Sequence, residues 1–146
     1  EIPNVGMVAA VDLALDDTIH IGTPGLKVLG ARLAQLVTGR AQRGPRIVSA
    51  RFEDSTRRRV RVEFRDVNGR LMTRGRPSGF SLQLPEGAKD VAHFNTVVDG
   101  SSVLLLLQNE APAGAQLWYG RGLAPYANLV DEKNMALPVT GPVPME

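Results

Sequence analysis

The chain contains no cysteine. That rules out a disulfide framework and any thiolate metal site, and it leaves the redox compartment open. Histidine occurs only twice, at His20 and His93. A metal centre needs more ligands at better-defined spacing than these two and the scattered carboxylates provide, so neither a metal nor another cofactor is expected. Aromatic residues make up 5% of the sequence, so few side chains are available for stacking on a ligand. No apolar run approaches the roughly 18 residues that a membrane helix needs. The formal net charge of +2 is too small to argue for nucleic acid as a partner. The first four residues, Glu1-Ile2-Pro3-Asn4, have neither a basic region nor an apolar one. They do not read as a signal peptide and, lacking an initiator methionine, read as a cut end.

What is present has the proportions of a globular chain: 146 residues, 43% hydrophobic and 22% charged, the size of one ordinary domain or of one domain and part of another. Residues 5–15 (VGMVAAVDLAL) form an apolar run interrupted only by Asp12. Continuous apolarity predicts a strand buried on both faces, as in a parallel sheet covered by helices. A helix follows, with Thr23 as its cap, Pro24 at its first position and Gly39 just past its end. Leu26, Leu29, Leu33, Leu36 and Val37 recur at helical spacing, with Lys27, Arg32 and Gln35 away from that stripe. Residues 1–39 therefore read as the last strand-loop-helix unit of an open α/β sheet. A single strand and helix cannot bury both apolar surfaces, so this unit needs a sheet supplied from elsewhere.

Residues 40–45 read as a linker ending in Gly44-Pro45, and beyond it the period changes to two. Val60, Val62 and Phe64 alternate with Arg59, Arg61, Glu63 and Arg65. Short strand patterns recur at 47–52, 70–74, 79–84, 95–98, 103–107 and 116–120, separated by turn signals such as Asn68-Gly69 and Asp99-Gly100. This spacing predicts a small antiparallel β-sandwich-like domain over 46–122. Residues 123–146, with four prolines, read as an irregular tail packing back on the body. The arginines at 57–59, 61 and 65 read as a solvated sheet face rather than a polyanion site.

The chemistry concentrates in Asp16-Asp17-Thr18-Ile19-His20, between the apolar run and the helix. An aspartate three residues before a histidine on a turn can reach the ring Nδ1, fix the tautomer and leave Nε2 outward as a base. Such a loop at the carboxyl end of a strand is where open α/β sheets bind ligands. Asp17 is the expected partner of His20, and Asp16 the alternative. No serine sits on a strand-to-helix elbow, so no activated nucleophile is identified. His93 reads as a loop or strand-edge residue. Trp118, Tyr119 and Tyr126 are the candidates for contacting a sugar, with core packing as their default role.

Gly6-Met7-Val8, leading through Asp17-Thr18-Ile19-His20 to Leu29-Gly30-Ala31-Arg32-Leu33-Ala34, resembles the C-terminal catalytic block of SGNH-type carbohydrate esterases, the sialate O-acetylesterase and acetylxylan esterase group. Ser78-Gly79-Phe80, Trp118-Tyr119-Gly120-Arg121-Gly122 and Pro125-Tyr126-Ala127-Asn128-Leu129 resemble the β-rich tail of the same proteins. The resemblance implies a flavodoxin-like parallel sheet before the sandwich, His20 as general base, Asp17 (or Asp16) as its orienting partner, and a secreted or periplasmic location. The family's Gly-(Asp/Gln)-Ser nucleophile block and its oxyanion-hole glycine and asparagine are not recognisable here. The expected function is therefore the C-terminal chain of a serine carbohydrate O-acetylesterase. It would supply a His-Asp pair to a partner N-terminal polypeptide that carries the serine and the oxyanion hole, and would be inactive alone. The alternative is a non-catalytic carbohydrate-binding or assembly module. The first requires His20 at a pocket shared with an outside serine; the second requires only an exposed aromatic platform.

Overall fold

The computed structural model describes residues 5–41, 43–87 and 94–146. The terminal tetrapeptide and His93, both weighed above, lie outside the described residues. One helix, α1 (Thr23–Val37), precedes nine strands: β1 (Arg46–Phe52), β2 (Arg59–Arg65), β3 (Leu71–Thr73), β4 (Phe80–Gln83), β5 (Phe94–Asp99), β6 (Ser102–Leu107), β7 (Gln116–Tyr119), β8 (Leu129–Asp131) and β9 (Thr140–Pro144). They pair into a four-stranded sheet, β1-β2-β6-β5, a three-stranded sheet, β4-β7-β9, and a two-stranded ribbon, β3-β8. All of these pairings are antiparallel.

The period-2 patterning produces this arrangement directly. Val60 and Val62 of β2 and Val103, Leu105 and Leu107 of β6 turn inward and are buried, meeting Leu82 of β4 and Leu117 and Tyr119 of β7 from the facing sheet. Leu71 and Leu129 of the ribbon close the same core. The outward residues of β2 form ion pairs: Arg59 and Arg61 meet Glu53 at 3.0 and 2.6 Å, and Arg61 also reaches Asp99 at 2.9 Å. The arginine run is thus a solvated, paired sheet face.

Two expectations need correction. Residues 5–15 form no strand, and no parallel sheet exists among the described residues; the stretch is irregular, with a turn in which Leu13 N–H donates to Ala10 O. A parallel strand needs a neighbour to take up its backbone groups, and among the described residues the segment pairs with no strand. Asp12, the one acid in the run, is drawn into an ion pair with Arg32 of α1. The tail is not irregular either. It supplies β8 and β9, which complete the ribbon and the three-stranded sheet, and Glu146 exchanges backbone hydrogen bonds with Ala50 and Phe52 at the β1 edge.

The ends of α1 also differ in detail from expectation. Thr23 is its first residue, and Gly22 holds the N-cap position without a side-chain cap. The Asp16 carboxylate lies where a Cβ on Gly22 would project, so a larger residue there would displace the Asp16 side chain. Gly39, at φ 67° just past the helix end, takes the left-handed conformation that glycine adopts without strain.

Candidate functional site

The Asp17–His20 loop is a small closed unit. An antiparallel bridge joins Leu15 to Ile21, Asp16 N–H donates to His20 O at 2.8 Å, and Gly22 N–H donates to Ala14 O at 3.1 Å. Inside this loop Asp17 uses both carboxylate oxygens. Oδ1 accepts from the backbone N–H groups of Ile19 and His20, each at 2.8 Å, and Oδ2 lies 2.7 Å from His20 Nδ1. An ionised carboxylate can only accept, so Nδ1 is the donor, and in the neutral imidazole Nε2 then carries the lone pair. The Ile19 and His20 backbone donors, with the imidazole, hold the Asp17 carboxyl below its ordinary value of 3.8, and the Ile19 N–H is the largest cause. Both side chains are open to solvent, His20 at 72% and Asp17 at 54% exposure. Asp16, the alternative partner, faces Gly22 and not the imidazole.

The loop is anchored through a residue that the helical wheel placed on the polar side. Arg32 is 1% exposed. Its guanidinium forks onto Asp12, Nη1 to Oδ1 at 2.7 Å and Nη2 to Oδ2 at 2.6 Å. Nη1 also donates to Ala9 O, and Nε to Asn134 O. Gln35, one turn on, donates to Lys133 O at 3.2 Å. The helix therefore docks on the sandwich through its polar face, and Asp12 and Arg32 hold the two sides of the His20 loop at one point. The sequence signal for this pair was the lone acid in an apolar run.

The docking leaves much of the leucine stripe uncovered: Leu26 is 54%, Leu33 44% and Val37 85% exposed, and Met7 is also exposed. Ile19, next to His20, is exposed as well.

The other candidates separate. Tyr119 is fully buried, meets Phe80 edge-to-face with centroids 5.0 Å apart, and accepts a hydrogen bond from Leu129 N–H; burial pushes its phenol far above the usual range. It is a core residue. Trp118 is half-buried under the Arg121 guanidinium, 4.8 Å from the ring centroid. Tyr126 alone of the three presents its ring to solvent, at 74% exposure. The hydroxyls of Ser78 and Ser102 donate to backbone carbonyls, and among the described residues no hydroxyl hydrogen-bonds the His20 ring. Among the same residues no group of three metal-type ligands comes together, and no helix is long and apolar enough to cross a membrane.

No protein-family model and no curated protein matches the chain. Among solved structures it is similar to a novel carbohydrate acetylesterase from Xanthomonas citri, with a TM-score of 0.60 at 18% identity, over 88% of this chain and 30% of that one. The likeness is one of fold. This chain spans less than a third of that protein's length, and its fold, a helix followed by a β-rich domain, matches part of a carbohydrate acetylesterase.

Proposed function

We propose that this chain is the C-terminal part of a serine carbohydrate O-acetylesterase, with His20 as general base and Asp17 as the residue that orients it. The observation that carries the reading is the 2.7 Å contact between Asp17 Oδ2 and His20 Nδ1 in a loop closed on both sides. That contact fixes one tautomer and presents Nε2 outward. The fold likeness to a carbohydrate acetylesterase supports it, as does the exposed stripe of Leu26, Leu33 and Val37 beside the loop. An uncovered apolar face of this kind marks an interaction surface. Here the covering element is the segment that bears the nucleophilic serine and the oxyanion hole.

In the assembled site the serine oxygen attacks the acetyl carbonyl while His20 Nε2 takes the hydroxyl proton. The tetrahedral intermediate then collapses: the sugar oxygen leaves with the proton from Nε2, and the acetyl group stays on the serine. Water attacks this ester next, His20 again takes a proton and returns it to the serine oxygen, and acetate departs. Asp17 takes no proton in these steps; it holds the ring.

The test is reconstitution. The chain alone should not hydrolyse p-nitrophenyl acetate or acetylated xylose and sialic acid above the rate of free imidazole. Mixed or co-expressed with a Gly-x-Ser-bearing segment it should be active, and His20→Ala should lower kcat by about 10³-fold or more. Activity in the assembly that His20→Ala leaves intact would remove His20 from the mechanism. The exposed ring of Tyr126 favours a second reading, a carbohydrate-binding module. That reading predicts saturable binding of a neutral oligosaccharide by the chain alone, abolished by Tyr126→Ala.

A further inference from the structure

The surface of the sandwich on which α1 docks is itself built around one buried acid. β8 ends at Asp131, and the chain turns through Glu132-Lys133-Asn134 before Met135. Aspartate favours such a turn because its carboxylate can accept from backbone N–H groups just ahead of it. Asp131 Oδ1 accepts from the N–H groups of Lys133 and Met135 at 2.9 and 3.0 Å. Asn134, at φ 58°, donates its N–H to Asp131 O at 2.8 Å. The second carboxylate oxygen, Oδ2, accepts from Asn68 N–H at 3.0 Å and from Asn68 Nδ2 at 2.6 Å. Asp131 is 1% exposed, and a buried carboxylate is tolerated only when its oxygens are hydrogen-bonded in this way.

The helix lands on this turn. Lys133 O accepts from Gln35, and the next carbonyl, Asn134 O, accepts from Arg32 Nε. The same Arg32 guanidinium holds Asp12 and Ala9 O, on the segment that leads into the His20 loop. On its other side Asp131 pairs in register with Leu71 of β3, and Leu71 and Leu129 belong to the core. Asp131 therefore joins the core of the sandwich to the polar face of α1.

We propose that Asp131 is a positioning residue for His20. By fixing the turn over 131–135 it sets where α1, and with it the Asp17–His20 loop, sits against the sandwich. The catalytic meaning of this rests on the reading of His20 as general base; the coupling between the turn and the helix does not. The Asp17–His20 contact is local and needs nothing from Asp131. What Asp131 governs is the placement of the loop as a whole. A serine supplied by another segment must meet Nε2 in one geometry, and a misplacement on the order of 1 Å can cost about 10²-fold in rate.

The experiment compares the chain with its Asp131→Asn variant by NMR and native-state hydrogen exchange. The new amide sets N–H donors against those of Asn68. The Arg32 Nε–H signal should shift, and it and the amides of Val28 to Ala34 should exchange about tenfold faster or more, while Val62 and Leu105 change less. The His20 ring nitrogens should still report the Asp17 contact. The Asn68→Asp/Asp131→Asn double exchange returns a carboxylate to the same contact and should restore part of the helix's protection. If Asp131→Asn does not fold, Asp131→Ser makes the same comparison, since its hydroxyl keeps a weaker form of the turn. In the assembly with a Gly-x-Ser-bearing segment, Asp131→Asn should lower kcat about tenfold or more with KM little changed. An assembly indifferent to His20→Ala would overturn the general-base reading and leave the coupling seen in the chain alone. Activity that responds to His20→Ala and not to Asp131→Asn would overturn the proposal. So would unchanged exchange at Arg32 and α1, equal losses in α1 and the core, or failure of both variants to fold, which would make Asp131 a requirement of the fold itself.

Discussion

Asp17 divides its work between two oxygens, and the division makes a quantitative expectation. The cause that lowers its pKa most is the Ile19 backbone N–H, followed by the His20 side chain and the His20 N–H. Removing the imidazole should therefore raise the Asp17 titration midpoint in His20→Ala without returning it to 3.8, because two backbone donors remain. The sign for stability follows from the depressed folded value. The loop's stabilisation is present above the unfolded pKa near 3.8 and is lost as pH falls through the lower folded midpoint. Side-chain carboxyl NMR across pH 2–6 reads both effects, and an Asp17 midpoint at or above 3.8 in the parent chain would contradict the arrangement. Arg32 makes a larger demand. Taking it away leaves the Asp12 carboxylate desolvated and unpaired, so Arg32→Met should cost about 3–5 kcal/mol in urea unfolding. Replacing Asp12 with leucine in the same chain should recover part of that loss, since an apolar pair carries no buried charge. Asp17 and His20 were legible because their contact is local, three residues on a turn. Arg32 was not, because the wheel assigns faces by polarity and cannot see that Asp12, twenty residues earlier, turns a polar face into the docking face.

The helix and the strands were legible to different degrees, for a physical reason that lies in their partners. The strands alternate because one face of each meets the core, and that core lies wholly within the chain: Val62 and Leu105 find Leu82 and Leu117 from the opposite sheet. The positions of β1 to β7 followed from period two within a residue or two at each end, whereas β8 and β9, in the stretch read as an irregular tail, did not. The apolar stripe of α1 was equally clear, yet Leu26, Leu33 and Val37 remain largely exposed. Residues 5–15 likewise read as a buried strand from their apolarity, while among the described residues their backbone pairs with no strand. Periodicity reports the polarity of a segment's faces and not what those faces meet. The expected consequence is measurable. Leu33→Gln and Val37→Gln, at exposed positions, should change the chain's stability by no more than about 0.5 kcal/mol, whereas Leu105→Ala should cost about 2–5 kcal/mol. Comparable losses at both kinds of site would mean that the stripe is buried in solution after all.

At the scale of the molecule these facts describe a β core of high local stability with a lightly held appendage. β2 and β6 are surrounded by buried residues on their inner face, while α1 and the His20 loop are attached through Arg32, Gln35 and a few backbone contacts. Free energies of local opening track buried apolar contacts, so the two parts should not open together. In native-state hydrogen exchange the amides of Val62 and Leu105 should exchange only through global unfolding. Those of Val28 to Ala34 should exchange through a smaller opening, lower by about 2 kcal/mol or more. This gap is also a probe of the proposed assembly. A serine-bearing segment that covers Leu26, Leu33 and Val37 adds buried apolar area to α1 alone, so it should raise protection of the helix and leave β2 and β6 nearly unchanged. If protection instead rises around Tyr126 and not along α1 when a carbohydrate or partner is added, the working surface of the molecule is the loop after β7, and the His20 loop is not where it acts.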